Sequence, residues 1–564
     1  MNLLSDVRDH IEQARDATGH TADVPWASFA EFFRSRIYDP QLVTRNALTF
    51  FDDERRVHRT YTYAELGAIV ERLAGVFHTR FGLTRGDRIA TLLFNHDVTV
   101  LTYFAAWTLG VAVVPINIEE PLEKKRYILE HSEVSTVFCW QDAYDEVCAL
   151  QSDIPTLRNV IALGDAGVLD SHRTGGRSSP NVAARSLRRS PSGSRLDDHA
   201  LIVYTSGTTG PPKGVILTMA NLLIDADAIA VSHGFCVTDR LMCVLPIHHV
   251  NGIVVTLITP FYCKGSLVLN RRFQTERFWR RVHAEQVTSV SVVPTLLEFL
   301  LDADEDITPY DLSRLGGLIC GAGPLLKDTA ARFEDRFAVP IRHGYGLSET
   351  TCYSCFLPND LTQAQHRHWL TGYDFPSVGV PLRHNLMAIL DEHGRSLPPA
   401  VHGEICIRGR TVCAGYFKRD EANEAAFQWG WFRSGDEGFY LVDDSGRPFF
   451  FVSGRLKELI IRGGQNIAPA EIEEVVNALD DVVDNAVVGI PHAHLGEVPA
   501  LFVVTREGAG IAAEEILEHC RGLLSSYKVP FSVHFVNEIP RTGSGKIIRF
   551  KLRETLIAPV NKAS

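Results

Sequence analysis

The chain is predicted to adopt an α/β fold that divides into two or more domains. Its 564 residues exceed what a single hydrophobic core normally organises. The first part of the chain alternates amphipathic helical patterns with short apolar runs. Such alternation is typical of βαβ units and of largely parallel sheets.

Four consecutive segments carry this alternation. The range 61–74 combines helical spacing of apolar residues with a capping-box sequence, and 86–94 is typical of a turn followed by a buried strand. The range 100–109 is again helical, and 111–116 is again a strand. These four segments therefore predict a parallel sheet covered by helices.

One segment departs from the alternation. Residues 171–195 are rich in Ser, Pro and Gly and contain six arginines and no acidic residue. This composition cannot bury enough apolar surface to order itself, so we expect a mobile insertion rather than a binding site for an anionic partner.

Composition excludes several classes of protein. A net charge of -12 argues against a nucleic-acid binder that works through a basic surface. No apolar run is long enough for a transmembrane helix, and the charged N-terminus does not resemble a signal peptide. The 11 cysteines are scattered, many of them in apolar contexts, which favours free thiols in the cytoplasm. The Cys352-Tyr-Ser-Cys355 spacing alone is a weak indication of a metal or redox site.

The segment Tyr204-Thr-Ser-Gly-Thr-Thr-Gly-Pro-Pro-Lys-Gly214 is the most informative part of the chain. It follows a short apolar strand and combines glycines, which let backbone N–H groups approach a phosphate, with hydroxyls and one lysine. The nucleoside-triphosphatase loop requires Gly-Lys-Ser/Thr at its end, whereas Lys213 is preceded by Pro212 and followed by Gly214. The segment instead resembles the phosphate loop of the adenylate-forming superfamily, which includes acyl-CoA synthetases, firefly-type luciferases and peptide-synthetase adenylation domains.

Further motifs follow in the order of that superfamily. Pro246-Ile-His-His-Val-Asn-Gly252 resembles its acyl-site motif, in which His249 would gate or orient the substrate carboxylate. Gly321-Ala-Gly-Pro-Leu325 resembles the loop that lines the adenine and acyl pockets. The resemblance implies the following acyl-pocket residues: His249, Asn251, Gly252, Val293, Gly321 and Gly346.

His343-Gly-Tyr-Gly-Leu-Ser-Glu-Thr350 resembles the motif that holds the nucleotide. By this resemblance Tyr345 stacks on adenine, Glu349 binds Mg²⁺ and Thr350 contacts the α-phosphate, while Asp436 binds the ribose and Arg455 binds ribose or phosphate. A hard cation such as Mg²⁺ needs carboxylate oxygen. The implied set of ATP- and AMP-binding residues is Thr205, Ser206, Gly207, Thr208, Thr209, Gly210, Lys213, Gly321, Ala322, Gly344, Tyr345, Gly346, Asp436 and Arg455.

The C-terminal motifs complete the resemblance, which spans roughly residues 30–555. It implies a large N-terminal domain of α/β-layered subdomains (1–456) and a small mobile α+β domain (457–564), with the hinge at Lys457. Gly463 and Gly464 would line the coenzyme A channel, and Lys546 in Pro540-Arg-Thr-Gly-Ser-Gly-Lys546 would be the catalytic lysine. The implied catalytic set is Lys546, Glu349, Thr350 and His249.

The resemblance implies an ATP- and Mg²⁺-dependent carboxylic acid–CoA ligase that forms an acyl-adenylate, releases pyrophosphate and transfers the acyl group to coenzyme A. The mostly neutral acyl pocket favours an aliphatic or aromatic monocarboxylic acid. A carrier-protein phosphopantetheine as acceptor, a luciferase-like oxygenase and a non-catalytic acyl- or nucleotide-binding relative stay as alternatives. The acyl-site motif lacks the acidic residue that an amino-acid substrate needs, and the presence of Lys546 and Glu349 argues against a non-catalytic relative. The sequence does not indicate an oligomeric state.

Overall fold

The structure is a computed structural model that describes residues 3–16, 24–163, 194–205, 211–303, 305–463, 465–492, 494–506, 508–541 and 547–557. The predicted insertion at 171–195 lies outside these ranges except for its last two residues. No helix in these ranges is long and apolar enough to span a membrane.

The strands divide into three groups along the chain. The first group is β1 (Asn46–Asp52), β2 (Val57–Thr62), β3 (Arg88–Leu92), β4 (Ala112–Pro115), β5 (Thr136–Trp140), β6 (Asn159–Leu163), β7 (His199–Thr205) and β8 (Lys213–Thr218). The second is β9 (Arg240–Cys243), β10 (Ser266–Asn270), β11 (Ser289–Val292), β12 (Leu318–Cys320), β13 (Ile341–Tyr345), β14 (Cys355–Phe356), β15 (Ser377–Pro381), β16 (Asn385–Leu390), β17 (Gly403–Gly409), β18 (Phe427–Gln428), β19 (Trp431–Val442) and β20 (Pro448–Arg455). The third is β21 (Ile460–Arg462), β22 (Gln465–Ile467), β23 (Val482–His492), β24 (Gly496–Thr505) and β25 (Ser532–Phe535).

Helices connect and cover these strands. The α-helices of the described ranges are Leu3–Arg15, Phe29–Ile37, Tyr63–Phe81, Asp97–Thr108, Leu122–His131, Tyr144–Gln151, Met219–His233, Thr259–Tyr262, Thr275–Ala284, Pro294–Asp302, Lys327–Phe337, Gln363–Thr371, Asp420–Ala426, Pro469–Asn477, Ala513–Leu523 and Arg549–Ile557. A π-helical segment, Asn251–Ile258, leads into Thr259–Tyr262, and short 3₁₀ turns occur at Gln141–Ala143 and Ser348–Thr350.

The predicted alternation of the first part is confirmed. The helix Tyr63–Phe81 begins with a capping box in which Glu65 N–H donates to the Thr62 hydroxyl and Thr62 N–H donates to the Glu65 carboxylate. The six-stranded sheet has the order β6-β5-β3-β4-β7-β8, and its first five strands are parallel. Only β7 and β8 form an antiparallel hairpin.

A 14-stranded path forms the rest of the large domain, with the order β16-β17-β19-β20-β15-β14-β13-β12-β11-β9-β10-β1-β2 and β18 beside β19. Strands β1, β10, β9, β11, β12 and β13 are mutually parallel. Beyond β13 the pairing is antiparallel, so the expectation of largely parallel sheets does not extend to β14–β20. The reason is visible at β19 and β20, which are joined by a tight turn at Asp443–Arg447 rather than by a crossover helix.

The C-terminal part has a separate five-stranded sheet, with the order β22-β21-β24-β23 and β25 paired to β24. Its own apolar core includes Ile460, Ile472 and Leu501. The helix Pro469–Asn477 contacts the large domain. Its Glu474 carboxylate accepts a 3.0 Å hydrogen bond from the N–H of Lys327, the first residue of the helix Lys327–Phe337. Burial raises the pKa of Glu474 to about 7. The predicted fold class, with a large N-terminal and a small C-terminal domain, is confirmed.

A buried polar cluster anchors the helix Asp97–Thr108. The Asp97 carboxylate accepts hydrogen bonds from the Tyr61 hydroxyl at 2.6 Å and from Arg59 at 3.0 Å, and its Oδ1 lies 2.6 Å from His96 Nδ1. Burial raises the pKa of the Asp97 carboxyl, but these hydrogen bonds and charges outweigh burial and hold the pKa at about 2.

We predict that Asp97→Asn destabilises the large domain. The substitution removes a fully buried carboxylate charge that pairs with Arg59 and accepts from Tyr61, which should cost about 2–3 kcal/mol of unfolding free energy. Calorimetry should show a melting temperature lowered by several degrees. The control is Glu120→Gln, which breaks a partly exposed ion pair with Lys124 and should change stability by less than about 1 kcal/mol. Equal melting temperatures for the two variants would contradict the anchoring role.

Candidate active site

The predicted phosphate loop lies at the end of the β7–β8 hairpin. Thr205 and Lys213 are partners in the strand register on either side of it, and the loop residues Ser206, Gly207, Thr208, Thr209 and Gly210 lie outside the described ranges. Lys213 Nζ lies 4.9 Å from the centre of the Tyr416 ring, and Phe417 N–H donates to Gly214 O at 2.7 Å. A strand therefore follows this loop, where the nucleoside-triphosphatase loop is followed by a helix.

The predicted acyl-pocket residues follow adjacent parallel strands. Asn251 follows β9, Val293 follows β11, Gly321 follows β12 and Gly346 follows β13. These strands are neighbours in the sheet and end at the same edge. The carboxyl edge of parallel strands is where open α/β sheets bind ligands, so the sheet brings these four positions together.

Asn251 is held in a buried hydrogen-bond chain at this edge. The Ser291 hydroxyl donates to Asn251 Oδ1 at 2.6 Å, and Asn251 Nδ2 donates to the Tyr353 hydroxyl at 3.2 Å. Asn251 begins the π-helical segment, a conformation that frequently marks functional sites. These two hydrogen bonds fix the orientation of the Asn251 amide at this edge of the sheet.

Glycines keep the backbone tightly packed around this edge. A Cβ on Gly346 would lie 2.0 Å from Cys352 O, and a Cβ on Gly321 would lie 2.6 Å from the Tyr353 hydroxyl oxygen. A Cβ on Gly344 would lie 2.3 Å from the Phe356 ring, and a Cβ on Gly252 would lie 2.5 Å from Pro246 O. A side chain at any of these positions would displace the loops that form the edge.

His249 lies at an exposed position in the middle of the acyl-site motif. Its side chain is exposed, and its ring centre lies 4.4 Å from that of His248. Burial, together with the nearby His249, lowers the pKa of His248 to about 3. His248 is therefore neutral at physiological pH and adds no charge beside His249.

The predicted nucleotide residues Tyr345, Asp436 and Arg455 form one contact group. The strand register of β19 and β20 places Asp436 opposite Arg455, whose Nε lies 3.3 Å from Asp436 Oδ1. The Tyr345 hydroxyl donates to Asp436 Oδ2 at 2.7 Å. The Asp436 charge raises the pKa of Arg455, and burial followed by the Asp436 charge raises the pKa of Tyr345. Tyr345 and Arg455 thus orient the Asp436 carboxylate, which would accept hydrogen bonds from the two hydroxyls of a ribose.

Glu349 and Thr350 occupy the short turn that follows β13. The Tyr416 hydroxyl donates to Glu349 Oε1 at 2.9 Å, and Cys413 N–H donates to Glu349 O at 2.8 Å. The Thr350 hydroxyl is engaged within its own turn, since it accepts from Leu347 N–H at 3.0 Å and lies 3.2 Å from Leu347 O. Its predicted contact to the α-phosphate stays a prediction.

The carboxylate of Glu349 has the donor chemistry that Mg²⁺ requires. Within the ranges that the structure describes, no group of three or more His, Cys, Asp or Glu side chains could hold a metal ion. A magnesium ion at Glu349 would therefore take most of its ligands from nucleotide phosphates and water, and the residues present fit that arrangement.

The predicted residues of the small domain are only partly described. Lys457 lies exposed in the turn between β20 and β21, and Gly463 lies at the β21–β22 turn with φ 60°, donating its N–H to Leu495 O at 2.7 Å. Gly464 and Lys546 lie outside the described ranges. Ala322 adopts φ 64° in the loop after β12.

Three side chains of the site were missed by the sequence reasoning: Ser291, Tyr353 and Tyr416. Tyr353 lies inside the Cys352–Cys355 segment, and both cysteines are free and buried, with burial raising their pKa values. The strand pattern of 289–292 indicates burial of Ser291 but not its hydrogen-bond partner. No spacing in the sequence indicates that Tyr416 approaches Glu349.

The fold is that of a two-domain α/β protein in which predicted ligand-binding residues meet at the carboxyl edge of one sheet. The sequence model of the family described as AMP-binding enzyme matches residues 41–417, and that of its C-terminal domain matches 471–546. The chain belongs to the AMP-binding enzyme family, which confirms the predicted membership of the adenylate-forming superfamily.

Relatives and solved structures agree with this assignment. The chain is 34% identical to the sulfoacetate–CoA ligase of Cupriavidus necator, over 84% of this chain and 88% of the relative. It is 33% identical to the 2-succinylbenzoate–CoA ligase of Bacillus licheniformis, over 87% of this chain and 94% of the relative. The crystal structure of ATP-bound MatB from Rhodopseudomonas palustris superposes with a TM-score of 0.80 at 29% identity, over 93% of this chain and 98% of that one. The prediction of an AMP-forming acid–thiol ligase that uses ATP, Mg²⁺ and coenzyme A is confirmed at the level of class.

We predict that Asp436→Asn weakens use of ATP more than use of the acid. The amide keeps the shape of the carboxylate but loses the charge that pairs with Arg455 and the second acceptor oxygen. The KM for ATP should rise about tenfold or more, while the KM for the acid changes less than about twofold. Asp391→Asn, at an exposed turn closed by Arg395, serves as the control and should leave both values unchanged. Parallel rises in both KM values would contradict a nucleotide-specific role.

Proposed function

We propose that this carboxylic acid–CoA ligase acts through the residues collected at the carboxyl edge of β9–β13, with Lys546 supplied by the small domain. The observation that carries the proposal is the convergence of separate segments there. Asn251, the segment that carries Tyr345 and Glu349, and Asp436 come from three separate parts of the sequence, and each of these side chains is fixed by a specific hydrogen bond.

In the first half-reaction, a carboxylate oxygen of the acid attacks the α-phosphorus of ATP, and the bond to pyrophosphate breaks. The protein mainly positions the reactants and neutralises charge. His249 orients the carboxylate, Tyr345 and Asp436 hold the adenosine, and Thr350 and the phosphate loop hold the phosphates. Two sources would supply positive charge to the phosphate oxygens: a Mg²⁺ ion bound by Glu349, and the side chain of Lys546.

In the second half-reaction, the thiolate of coenzyme A attacks the acyl carbon of the mixed anhydride and AMP leaves. We place the domain boundary at Lys457, where the turn between β20 and β21 is exposed and could absorb a change in backbone angles. Rotation there would withdraw Lys546 and bring Gly463 and Gly464 toward the site to line the thiol channel. The 11 free cysteines support a cytoplasmic, reducing location.

The predicted acyl-pocket residues indicate a class of acid. The neutral residues Asn251, Val293 and Gly321 favour a monocarboxylic acid. Two relatives are named for acids with a second acidic group, sulfoacetate and 2-succinylbenzoate. A panel should therefore contain aliphatic and aromatic monocarboxylic acids together with these two acids.

The test is a product assay with ATP, Mg²⁺ and this panel, with and without coenzyme A or a phosphopantetheinylated carrier protein. AMP and pyrophosphate should appear with an acid present, and an acyl-CoA thioester should form when coenzyme A is added. Stoichiometric ADP and phosphate would overturn the proposal. Thioester on the carrier protein alone would replace coenzyme A as the acceptor.

Lys546→Ala should impair adenylation and spare thioester formation. Loss of one well-placed charge in a site that excludes water should slow acyl-adenylate formation at least about a hundredfold. Synthetic acyl-adenylate supplied with coenzyme A should react at nearly the wild-type rate. Lys551→Ala, on the exposed face of the helix Arg549–Ile557, is the matched control. A comparable loss in both half-reactions would argue that Lys546 is structural or serves both steps.

Lys457→Pro should show the opposite asymmetry. Proline fixes φ near about −65° and also restricts the preceding residue, so the turn cannot adopt two conformations. Single-turnover assays should show a larger loss in thioester formation than in adenylation. Lys457→Ala, which removes the same side chain but keeps backbone freedom, should leave the ratio of the two rates near that of the wild type. Equal losses in the proline variant would exclude a hinge at this residue.

A further inference from the structure

The helix Asp97–Thr108 and the residues just before it contact two parts of the candidate active site, the acyl-site motif and the strand β7 that precedes the phosphate loop. Every residue of this helix is buried, and the helix packs beside β4 of the six-stranded sheet. None of its residues belongs to a motif of the site. Its side chains nevertheless bond to the backbone of the acyl-site motif and of the strand that leads into the phosphate loop.

Asn95 provides hydrogen-bond partners for backbone groups beyond the end of β9. Beyond Cys243 the chain leaves the sheet, and its backbone polar groups need other partners. Asn95 Oδ1 accepts from Ile247 N–H at 2.8 Å, and Asn95 Nδ2 donates to Leu245 O at 2.9 Å and to Asn270 O at 3.2 Å. The buried amide thus fixes the segment that leads directly into His249 and Asn251.

Tyr103 binds the backbone carbonyl of Ile247, the residue whose N–H donates to Asn95. Its hydroxyl donates to Ile247 O at 3.0 Å and lies 3.4 Å from the Thr91 hydroxyl. Both backbone groups of Ile247 are therefore bonded by side chains from outside the sheet that carries the motif. The Tyr103 side chain is 1% exposed, so water does not compete for this hydrogen bond.

One turn further along the helix, Trp107 contacts the strand before the phosphate loop. Its indole Nε1–H donates to Ala200 O at 2.8 Å, and Ala200 lies in β7. One rigid helix therefore connects the strand that carries the phosphate loop to the backbone that carries the acyl-site motif.

We propose that Asn95 and Tyr103 are positioning residues for the adenylation step, because they set the place of the acyl-site motif relative to the phosphate loop. This inference rests on the proposed function, in which His249 orients the carboxylate for attack on the α-phosphorus. Attack requires the reacting atoms to lie about 3–3.5 Å apart, and a displacement of about 1 Å can cost a hundredfold in rate. Neither residue needs to touch a substrate to control this distance.

The primary experiment compares Tyr103→Phe with Tyr63→Phe. Both tyrosines are fully buried, and each donates its hydroxyl to a backbone carbonyl, that of Ile247 for Tyr103 and that of Gly265, at 2.6 Å, for Tyr63. The two substitutions remove the same group and the same kind of hydrogen bond from one domain. Only the Tyr103 bond ends on the acyl-site motif.

Pyrophosphate release should be measured with the acid and ATP varied in turn, together with the melting temperature and the fraction of active sites. Tyr103→Phe should lower kcat/KM for the acid about tenfold while the KM for ATP stays within about twofold of wild type. Tyr63→Phe should lower the melting temperature similarly but keep the wild-type kcat/KM for the acid. Identical kinetics for the two variants, or a parallel rise in the KM for ATP, would overturn the proposal.

Asn95→Asp provides an independent variant of nearly the same shape. The carboxylate keeps the acceptor for Ile247 N–H but loses the donors to Leu245 O and Asn270 O. It should lower kcat/KM for the acid at least as far as Tyr103→Phe, whereas wild-type kcat/KM in a folded Asn95→Asp would overturn the role of Asn95. An inactive wild-type enzyme across all acids would instead contradict the proposed function itself, so the two failures are distinguishable.

Discussion

The architecture of the site depends on the shared register of β9, β11, β12 and β13. These four strands are parallel neighbours, so their carboxyl ends fall on one edge, and each continues into a loop that carries a candidate ligand-binding residue. A shift of one residue in any strand would turn its side chains to the other face of the sheet and displace the loop that follows. The tight approach of Gly344 to Phe356 and of Gly321 to Tyr353 leaves little room for such a shift.

Much of this organisation could be predicted from the sequence. The alternation at 61–116 gave the helices and parallel strands correctly, because helices and buried strands have distinct spacing of apolar residues. The order of motifs indicated that Tyr345, Glu349 and Asp436 belong to one site. The antiparallel part after β13 was not anticipated, since strand direction depends on connections that short apolar runs do not specify.

The supporting contacts could not be predicted from the sequence, and the reason is physical. Asn95 bonds to Leu245 and Asn270, and Trp107 bonds to Ala200, across gaps in sequence of more than 90 residues. Local pattern indicates that such side chains are buried, but not which backbone group each one meets. The same holds for Tyr416, whose hydrogen bond to Glu349 joins residues 67 apart.

The hairpin that carries the predicted phosphate loop has an electrostatic consequence. When a helix follows a phosphate loop, its macrodipole places about half a positive charge permanently at the phosphates. Here β8 follows the loop, so this hairpin supplies no such fixed charge. Neutralisation must come from backbone N–H groups, bound cations and side chains. In the proposed mechanism a large share of it resides on a lysine of the small domain, and a charge carried by a separate domain can be removed once the adenylate exists. In that mechanism the site presents a strongly positive potential to ATP and a weaker one to the acyl-adenylate, with no change in the sheet that holds both.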